Sequence, residues 1–129
     1  MAYYLDTSAA AKLVVEEPGS KALRSWLREQ AAQIVSSDLL RTELLRSTRR
    51  SAPEQMPQAR AVLAALTLLS MSSATFDRAG SVDPRELRSL DALHLAVALE
   101  LGDELEGLIT YDVRQGAAAR AFGIDVIAP

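Results

Sequence analysis

Short apolar segments alternate with helix-favouring segments along this chain, and the alternation constrains the fold more than any other feature of the sequence. The first apolar run, residues 2–6, ends in an acid and gives way to an alanine-rich stretch, residues 7–15, which favours a helix. The same patterns predict further helices at residues 20–30, 40–50, 54–69, 90–101 and 113–122, strands at 34–36, 107–110 and 124–127, a strand or extended link at 70–75 and a loop at 81–84. This alternation favours an α/β fold in which a central parallel β-sheet is flanked by helices on both faces.

The length and composition of the chain indicate a single domain. It has 129 residues, of which 49% are hydrophobic. A chain of this size buries roughly two-thirds of its unfolded surface around one core. No repeat, linker or low-complexity segment divides it. We therefore expect one domain over residues 1–129.

Two absences in the sequence narrow the class of protein. Cysteine is absent, which excludes a disulfide framework and a thiolate metal site, so a metal ion must be held by oxygen atoms or by the single histidine. No apolar run approaches the ~20 residues that span a bilayer, and the N-terminus lacks the basic and apolar regions of a signal peptide. We expect a cytoplasmic protein with no membrane association.

The charge balance argues against binding nucleic acid by bulk electrostatics. Seventeen acids and fourteen bases give a net charge of −3, whereas nucleic-acid-binding domains are usually basic. Any polyanion must therefore be bound locally. Twelve of the bases are Arg and two are Lys. Arg suits bidentate phosphate contacts, although a compositional bias of the source genome explains the same excess.

Four acids are the candidate functional residues. Asp6 and Asp112 each stand where a predicted strand gives way to a helix, and ligands of open parallel sheets bind beyond the carboxyl ends of the strands. Asp91 begins the predicted buried helix, and Glu43 lies one turn after Leu40, beside an apolar helix face. Each acid has a structural alternative, because Asp is a preferred N-cap residue and Glu is ordinary on a half-exposed helix. The spacing alone leaves both roles open.

The four acids lie within four short motifs. These are Tyr4-Leu5-Asp6-Thr7-Ser8-Ala9, Arg41-Thr42-Glu43-Leu44, Leu87-Arg88-Ser89-Leu90-Asp91-Ala92-Leu93-His94-Leu95-Ala96 and Thr110-Tyr111-Asp112. They resemble the motifs of PIN domains, and most of all those of the VapC toxins of bacterial toxin–antitoxin pairs. The resemblance runs from residue 3 to Pro129 in the family's order, and the segment around Asp91 is specific rather than generic.

The resemblance implies a small PIN-like α/β domain with a Mg²⁺ or Mn²⁺ site that cuts RNA. It matches the family's metal-binding and catalytic acids residue by residue: Asp6, Glu43, Asp91 and Asp112. Hydroxyl-bearing positions of the family, where side chains orient carboxylates or water, match Thr7, Ser8 and Thr110. The implied function is a metal-dependent endoribonuclease, the toxin of a type II toxin–antitoxin system. Its implied partners are an RNA substrate, a VapB-like antitoxin and a second copy of the chain in a homodimer.

The chemistry of the four acids agrees with this role. Mg²⁺ prefers oxygen ligands, keeps several waters and is typically held by one or two carboxylates. A bound ion lowers the pKa of water, polarises the phosphate and stabilises the leaving oxygen, so no nucleophilic side chain is required. Clustered carboxylates repel one another without metal, so we expect a raised pKa for at least one of them.

Other residues near the motifs have weaker claims to a function. His94 shares a helical face with Asp91, so it is either a catalytic base or a core histidine bonded to backbone. Arg46 and Arg50 lie one and two turns after Glu43, where they either contact RNA phosphates, pair with Glu43 or remain solvated. Two aromatic residues, Tyr111 and Trp26, have two alternative roles. They either stack on an RNA base or pack in the core or against a protein partner.

Three other protein classes each lack a residue or motif that they require. A response-regulator receiver domain requires a lysine late in the chain, where only Lys12 and Lys21 exist. A haloacid-dehalogenase-type phosphatase requires a second Asp two residues after Asp6, where this chain has Ser8. A P-loop is excluded because no Gly-x-x-x-x-Gly-Lys occurs. The stronger alternative is a catalytically inactive PIN-like module that binds a protein partner or RNA, although the intact set of four acids argues against it.

Overall fold

The computed structural model describes all residues from Met1 to Pro129. A sheet of five parallel strands forms its centre. The strands are β1 (Ala2–Leu5), β2 (Gln33–Ser37), β3 (Thr67–Leu69), β4 (Leu105–Ile109) and β5 (Val126–Ile127). They lie in the order β3-β2-β1-β4-β5, so the first strand of the chain is in the middle of the sheet.

Seven α-helices connect or follow the strands. They are α1 (Thr7–Val14), α2 (Ser20–Glu29), α3 (Leu39–Ser51), α4 (Met56–Ala65), α5 (Ser73–Ala79), α6 (Ser89–Glu100) and α7 (Val113–Ala121). Short 3₁₀ turns cover Pro53–Gln55 and Gly102–Glu104. None of the helices combines the length and apolarity that crossing a membrane requires.

Side chains of β1 point alternately to the two faces of the sheet, and each face carries its own core. Leu5 packs in the core of one face with side chains of α1, α2, α3 and α4, Leu23 and Leu40 among them. Tyr4 packs in the core of the other face with side chains of α6 and α7, such as Leu95 and Ala118. Helices therefore cover both faces, and the predicted α/β fold with a central parallel sheet is confirmed.

The direction of the chain across the sheet reverses between β1 and β4. From β1 the chain moves outward through β2 to β3, and it then returns to the other side of β1 to form β4 and β5. The carboxyl ends of β1 and β4 are neighbours, because the backbone N–H of Asp6 donates to the carbonyl of Ile109 at 3.2 Å. Open parallel sheets bind ligands at such a switch point.

Helix α6 is buried on nearly every side, as its apolar sequence predicts. Leu95 packs toward the sheet in the core shared with Tyr4. Ala92 and Ala96 pack against Ala79 of α5. The first turn of α6 is thereby held at the same edge of the sheet as the ends of β1 and β4.

The segment between residues 54 and 79 differs from the prediction. The predicted helix over 54–69 ends at Ala65, because Leu66 is extended and the next three residues pair with β2. The predicted strand or link at 70–75 overlaps α5, which begins at Ser73. A capping box between Ser72 and Thr75 starts this helix. A strand of three residues is too short to show a period-two pattern, which is why the boundary was misplaced.

Candidate active site at the carboxyl ends of β1 and β4

Asp6 is a buried carboxylate directly after β1. Its Oδ1 atom accepts hydrogen bonds from the Ser8 hydroxyl at 2.7 Å and from the Ala9 N–H at 3.1 Å, and its Oδ2 atom accepts from the Thr110 hydroxyl at 2.5 Å. The residue is only 3% exposed. Burial raises the pKa of Asp6 above its ordinary value, although these hydrogen bonds act in the opposite direction. Asp6 is therefore the N-cap of α1, and its role as a metal ligand, which a cap does not exclude, stays a prediction.

The hydroxyls of Ser8 and Thr110 join the ends of β1 and β4. Each hydroxyl has a single hydrogen, which it donates to Asp6. Each therefore acts as an acceptor toward backbone: Ser8 Oγ accepts from the Tyr111 N–H at 2.9 Å and Thr110 Oγ1 from the Asp112 N–H at 3.1 Å. Asp6 and Asp112 are thus held in one hydrogen-bonded network.

Asp112 follows β4 as Asp6 follows β1. Its Oδ1 atom accepts from the backbone N–H groups of Arg114 and Gln115 at 2.9 and 3.1 Å, which makes it the N-cap of α7. Its Oδ2 atom has no hydrogen-bond partner in the protein. The cap fixes the carboxylate and leaves one oxygen open.

Glu43 extends from α3 into the same region. Its Oε1 atom accepts from the Thr7 hydroxyl at 2.7 Å and lies 2.5 Å from Nε2 of His94. The side chain is 19% exposed. Burial opposes ionisation of Glu43, but the hydrogen bond and charge of His94 and the Thr7 hydroxyl outweigh it and lower the pKa of the carboxyl below its ordinary value. Glu43 is therefore not an ordinary half-exposed helix acid.

His94 is a buried histidine whose partners are side chains. Its Nδ1 atom lies 2.7 Å from the Tyr4 hydroxyl, and its Nε2 atom lies 2.5 Å from Glu43 Oε1 and 3.2 Å from Thr7 Oγ1. It is 1% exposed. His94 is therefore a core histidine as the structural alternative predicted, but its partners are side chains and not backbone, because the position of α6 brings the ring against β1 and α3.

Asp91 lies in the first turn of α6 with no hydrogen bond to its carboxylate. The N-cap of this helix is Arg88, without a side-chain cap, so the capping role considered for Asp91 is wrong. Burial raises the pKa of Asp91, and the negative charge of Asp112 raises it further. His94 lowers the pKa of Asp91, and the charges of Asp6 and Glu43 raise it by smaller amounts, so Asp91 lies within reach of the other three acids.

A cavity of about 400 Å³ opens beside Asp91 and Asp112. It lies between the first turns of α6 and α7. Its lining residues are Pro84, Glu86, Leu87, Arg88, Asp91, Asp112, Val113 and Arg114. Both arginines are exposed and neither forms an ion pair with the acids beside it. The cavity is thus lined by two arginines and two acids that form no ion pair with one another.

The four carboxylates fit a hard cation by their donor chemistry. None is paired with Arg or Lys. The hydrogen bonds leave open Glu43 Oε2, Asp112 Oδ2 and both oxygens of Asp91, whereas Asp6 accepts three bonds. No group of three Asp, Glu or His side chains has a geometry that could hold an ion alone. Mg²⁺ is commonly held by one or two carboxylates together with waters and substrate phosphates. Pairs of these open oxygens therefore suit Mg²⁺, whereas the site does not supply the full set of protein ligands of a structural metal site.

The remaining predicted residues lie outside this network. Arg46 and Arg50 are exposed on α3 and form no ion pair with Glu43, so they are solvated. The Tyr111 hydroxyl donates to the carbonyl of Pro129 at 3.2 Å, and Trp26 packs edge-on against a neighbouring tyrosine of β1 at 4.8 Å between ring centroids. Both aromatic residues have protein partners, as the structural alternative predicted.

Sequence reasoning missed Tyr4, Arg88, Arg114 and Gln115. Gln115 is buried and donates from Nε2 to the Asp91 carbonyl at 3.0 Å, which ties α7 to α6. The arginines carried a signal, since Arg88 stands one helical turn before Asp91 and Arg114 two residues after Asp112. Tyr4 carried none, because it is one apolar residue in an apolar strand until the position of His94 is known.

Comparison with known proteins agrees with this geometry. Residues 3–121 match the PIN domain family. Ribonuclease VapC46 of Mycobacterium tuberculosis (strain ATCC 25618 / H37Rv) is 46% identical over 128 residues, which cover 99% of this chain and 98% of that protein. Ribonuclease VapC47 of Mycobacterium tuberculosis (strain CDC 1551 / Oshkosh) is 38% identical over 130 residues, which cover 98% of this chain and 96% of that protein.

Two solved structures share the fold at low sequence identity. The crystal structure of Mycobacterium tuberculosis VapC20, described as a Sarcin-Ricin loop cleaving toxin, has a TM-score of 0.77 at 18% identity and covers 98% of this chain and 99% of that one. VapBC2 from Rickettsia felis, bound to a DNA fragment from their promoter, has a TM-score of 0.74 at 16% identity and covers 98% of both chains. The match to the family and the full-length relatives show that this chain belongs to the PIN-domain family, within its VapC group.

Proposed function

We propose that this protein is a metal-dependent endoribonuclease that acts as the toxin of a type II toxin–antitoxin system. Its catalytic and metal-binding residues are Asp6, Glu43, Asp91 and Asp112. The observation that carries the proposal is the convergence of these four acids at the switch point of the sheet without any Lys or Arg partner. In a structural ion-pair cluster such carboxylates are bonded to Lys or Arg, whereas here Arg88 and Arg114 line the cavity without an ion pair and the one ionisable group bonded to the four acids is His94.

The relatives support the reaction class. The two full-length relatives are named ribonucleases, and VapC20 is described as a toxin that cleaves the Sarcin-Ricin loop. VapBC2 is a complex of two components bound to promoter DNA. By analogy this chain cleaves RNA in the cytoplasm, is inhibited by a VapB-like antitoxin and forms a homodimer.

Some residues of the site would bind a cation, and others would orient the side chains that bind it. Asp91, Asp112 and Glu43 would hold Mg²⁺ or Mn²⁺ through their open oxygens, together with Asp6. Such an ion would supply Lewis acidity, which lowers the pKa of water and stabilises negative charge on a phosphate. Thr110 and Ser8 fix the Asp6 carboxylate, and Thr7 fixes Glu43. These hydroxyls limit the rotation of the acids before substrate arrives.

The cavity beside Asp91 and Asp112 is where the RNA strand would enter. Its arginines, Arg88 and Arg114, can contact phosphates on either side of the bond that is cut. Arg46 and Arg50 would contact the strand farther along α3, one and two turns beyond Glu43. The net charge of −3 means that the protein as a whole is not basic. Local arginines would therefore provide the phosphate contacts that a basic surface provides in other nucleic-acid-binding domains.

A cleavage assay tests the proposal. The parent protein is expected to cut RNA with Mg²⁺ or Mn²⁺ and not with a chelator, and Asp6→Asn and Asp91→Asn are expected to abolish cleavage while folding normally. Asp77→Asn, an exposed acid on α5, is the control and should cut like the parent. Cleavage by Asp6→Asn at the parent rate would show that the acidic centre is elsewhere. A parent that binds RNA without metal-dependent product would instead be the inactive PIN-like module.

A further inference from the structure

We propose that His94 is a positioning residue for Glu43, and that the Tyr4 hydroxyl holds the imidazole in the orientation this requires. The result is that Glu43 presents its free Oε2 atom to the acidic centre. The inference rests on the proposed function for the meaning of that centre. Its geometric part concerns only side chains of this chain.

The hydrogen positions in this chain of contacts follow from the partners. Glu43 Oε1 is a carboxylate oxygen and can only accept, so the hydrogen between it and His94 must be on Nε2. The Thr7 hydroxyl gives its single hydrogen to the same oxygen, at 2.7 Å, and is therefore an acceptor toward Nε2 at 3.2 Å. Glu43 Oε1 thus receives two donors that come from different elements, α1 and α6. Oε2 receives none.

Tyr4 fixes the ring that supplies one of these donors. A histidine ring rotated by half a turn about its χ2 bond would present carbon atoms to Glu43 instead of Nε2–H. The Tyr4 hydroxyl, 2.7 Å from Nδ1, hydrogen-bonds only in the observed orientation. The rings of Tyr4 and His94 also meet edge-on, with 5.7 Å between centroids. Both residues are buried, so water cannot replace the lost partner after rotation.

A purely structural role does not explain the Tyr4 hydroxyl. The ring is fully buried in an apolar core beside Val35, Leu95 and Leu108, where phenylalanine would pack as well. A buried hydroxyl loses its hydration and is tolerated only when it is hydrogen-bonded. Its closest hydrogen-bond partner is Nδ1 of His94, and the buried hydroxyls of Ser36 and Ser37 also lie near enough to act against the effect of burial on the pKa of Tyr4. The hydroxyl therefore serves the contact with the histidine rather than the packing of the sheet.

The chain contains one histidine, so nuclear magnetic resonance reports on this contact without assignment ambiguity. In the metal-free parent we expect an Nε2-protonated ring whose Nε2–H resonance is shifted downfield and protected from solvent exchange. Tyr4→Phe should speed that exchange and shift the Nδ1 resonance. Tyr3→Phe is the matched control, because it is the same substitution on the opposite face of β1, next to Trp26. It should leave both signals unchanged.

Mn²⁺ affinity, measured by calorimetry, tests the consequence for Glu43. Residues that orient metal ligands typically change metal affinity by about 10- to 100-fold when they are replaced. We expect a loss in this range for His94→Leu, a smaller loss for His94→Gln, whose amide retains a donor, and a measurable loss for Tyr4→Phe. Tyr4→Phe should cause no further loss when combined with His94→Leu, because Tyr4 acts only through His94.

The magnetic resonance and calorimetry measurements distinguish an error in the positioning role of His94 from an error in the proposed function. A residue with a merely structural role would lower the melting temperature without moving the Mn²⁺ affinity of the folded protein. Unchanged affinity and unchanged histidine signals in Tyr4→Phe would overturn the positioning role. Failure of the parent to bind Mn²⁺ would overturn the proposed function instead, and the exchange of the Nε2–H proton would then decide the orientation of His94 alone.

Discussion

The Thr110 hydroxyl lies 2.5 Å from Oδ2 of Asp6 and joins the end of β4 to the end of β1. The same hydroxyl oxygen accepts from the Asp112 N–H at 3.1 Å, so one atom serves two acids of the site. Asp6 is buried, and a buried carboxylate without donors is costly. The contact therefore affects the stability of the fold as well as the geometry of the site.

Thr110→Val is expected to destabilise the protein and to slow cleavage. The substitution keeps the shape of the side chain but removes a hydrogen bond to a charged group, which is worth about 1.5–3 kcal/mol. We expect a decrease of that size in the free energy of unfolding, measured in urea at pH 7. Thr42→Val on the exposed surface of α3 is the control, and it should change stability by less than about 0.5 kcal/mol. Equal stability of the two variants would contradict the role of Thr110.

Asp91→Asn is expected to raise the melting temperature of the metal-free protein. The Asp91 carboxylate makes no hydrogen bond, and burial and the charge of Asp112 raise its pKa, so its charged form is disfavoured in the folded state. Because the folded-state pKa is raised, the stability that protonated Asp91 provides is present at low pH and is lost as pH rises through the raised pKa. The advantage of Asp91→Asn should therefore be small at about pH 4, near the ordinary pKa of Asp, and larger at pH 7.

Thermal unfolding of parent and Asp91→Asn over this pH range checks the sign. Asp77→Asn replaces an exposed acid and should show no pH-dependent difference from the parent. An advantage of Asp91→Asn that is greatest at low pH would mean that the carboxylate is stabilised in its charged form. That result would contradict mutual repulsion among the four acids.

Divalent metal is expected to raise the melting temperature of the parent. An ion that binds the folded acids and not the unfolded chain stabilises by mass action, by about 1.4 kcal/mol at ten times its dissociation constant. For a domain of this size the shift is roughly a few degrees. Asp6→Asn and Asp112→Asn should each reduce the shift, measured in a thermal titration with Mg²⁺, Mn²⁺ or chelator. The same shift in all three proteins would place the ion at another site.

The sequence was sufficient to predict the layered fold, because the alternation of strands and helices is a local pattern. The four acids were identified by motifs that resemble those of PIN domains, and their catalytic role stays a prediction. Asp6 and Asp112 follow apolar runs, and a parallel sheet brings the ends of such runs to one edge. The sequence did not predict which acids carry hydrogen bonds. Capping was the structural alternative for Asp91, yet its carboxylate makes no hydrogen bond, because the N-cap of α6 is Arg88.

The contact between Tyr4 and His94 is not predictable from local sequence patterns. The two residues are 90 positions apart, and their meeting depends on how α6 packs on the sheet. The predicted boundary between α4 and β3 was wrong for a related reason, because the pairing of β3 with β2 determines where the helix ends. Residue types and periodicity do not contain these long-range contacts.

Arg88→Ala and Arg114→Ala are expected to weaken RNA binding more than Arg46→Ala and Arg50→Ala. The first pair lines the cavity that contains Asp91 and Asp112, whereas the second pair is one and two turns away from Glu43 along α3. Each lost phosphate contact should reduce the slope of log affinity against log salt by about 0.7 for single-stranded RNA. Binding is measured in the Asp6→Asn background with chelator, so that no RNA is cut, and Arg60→Ala, an exposed arginine of α4, is the control. A larger loss for Arg46→Ala or Arg50→Ala would move the path of the RNA strand from this cavity to the surface of α3.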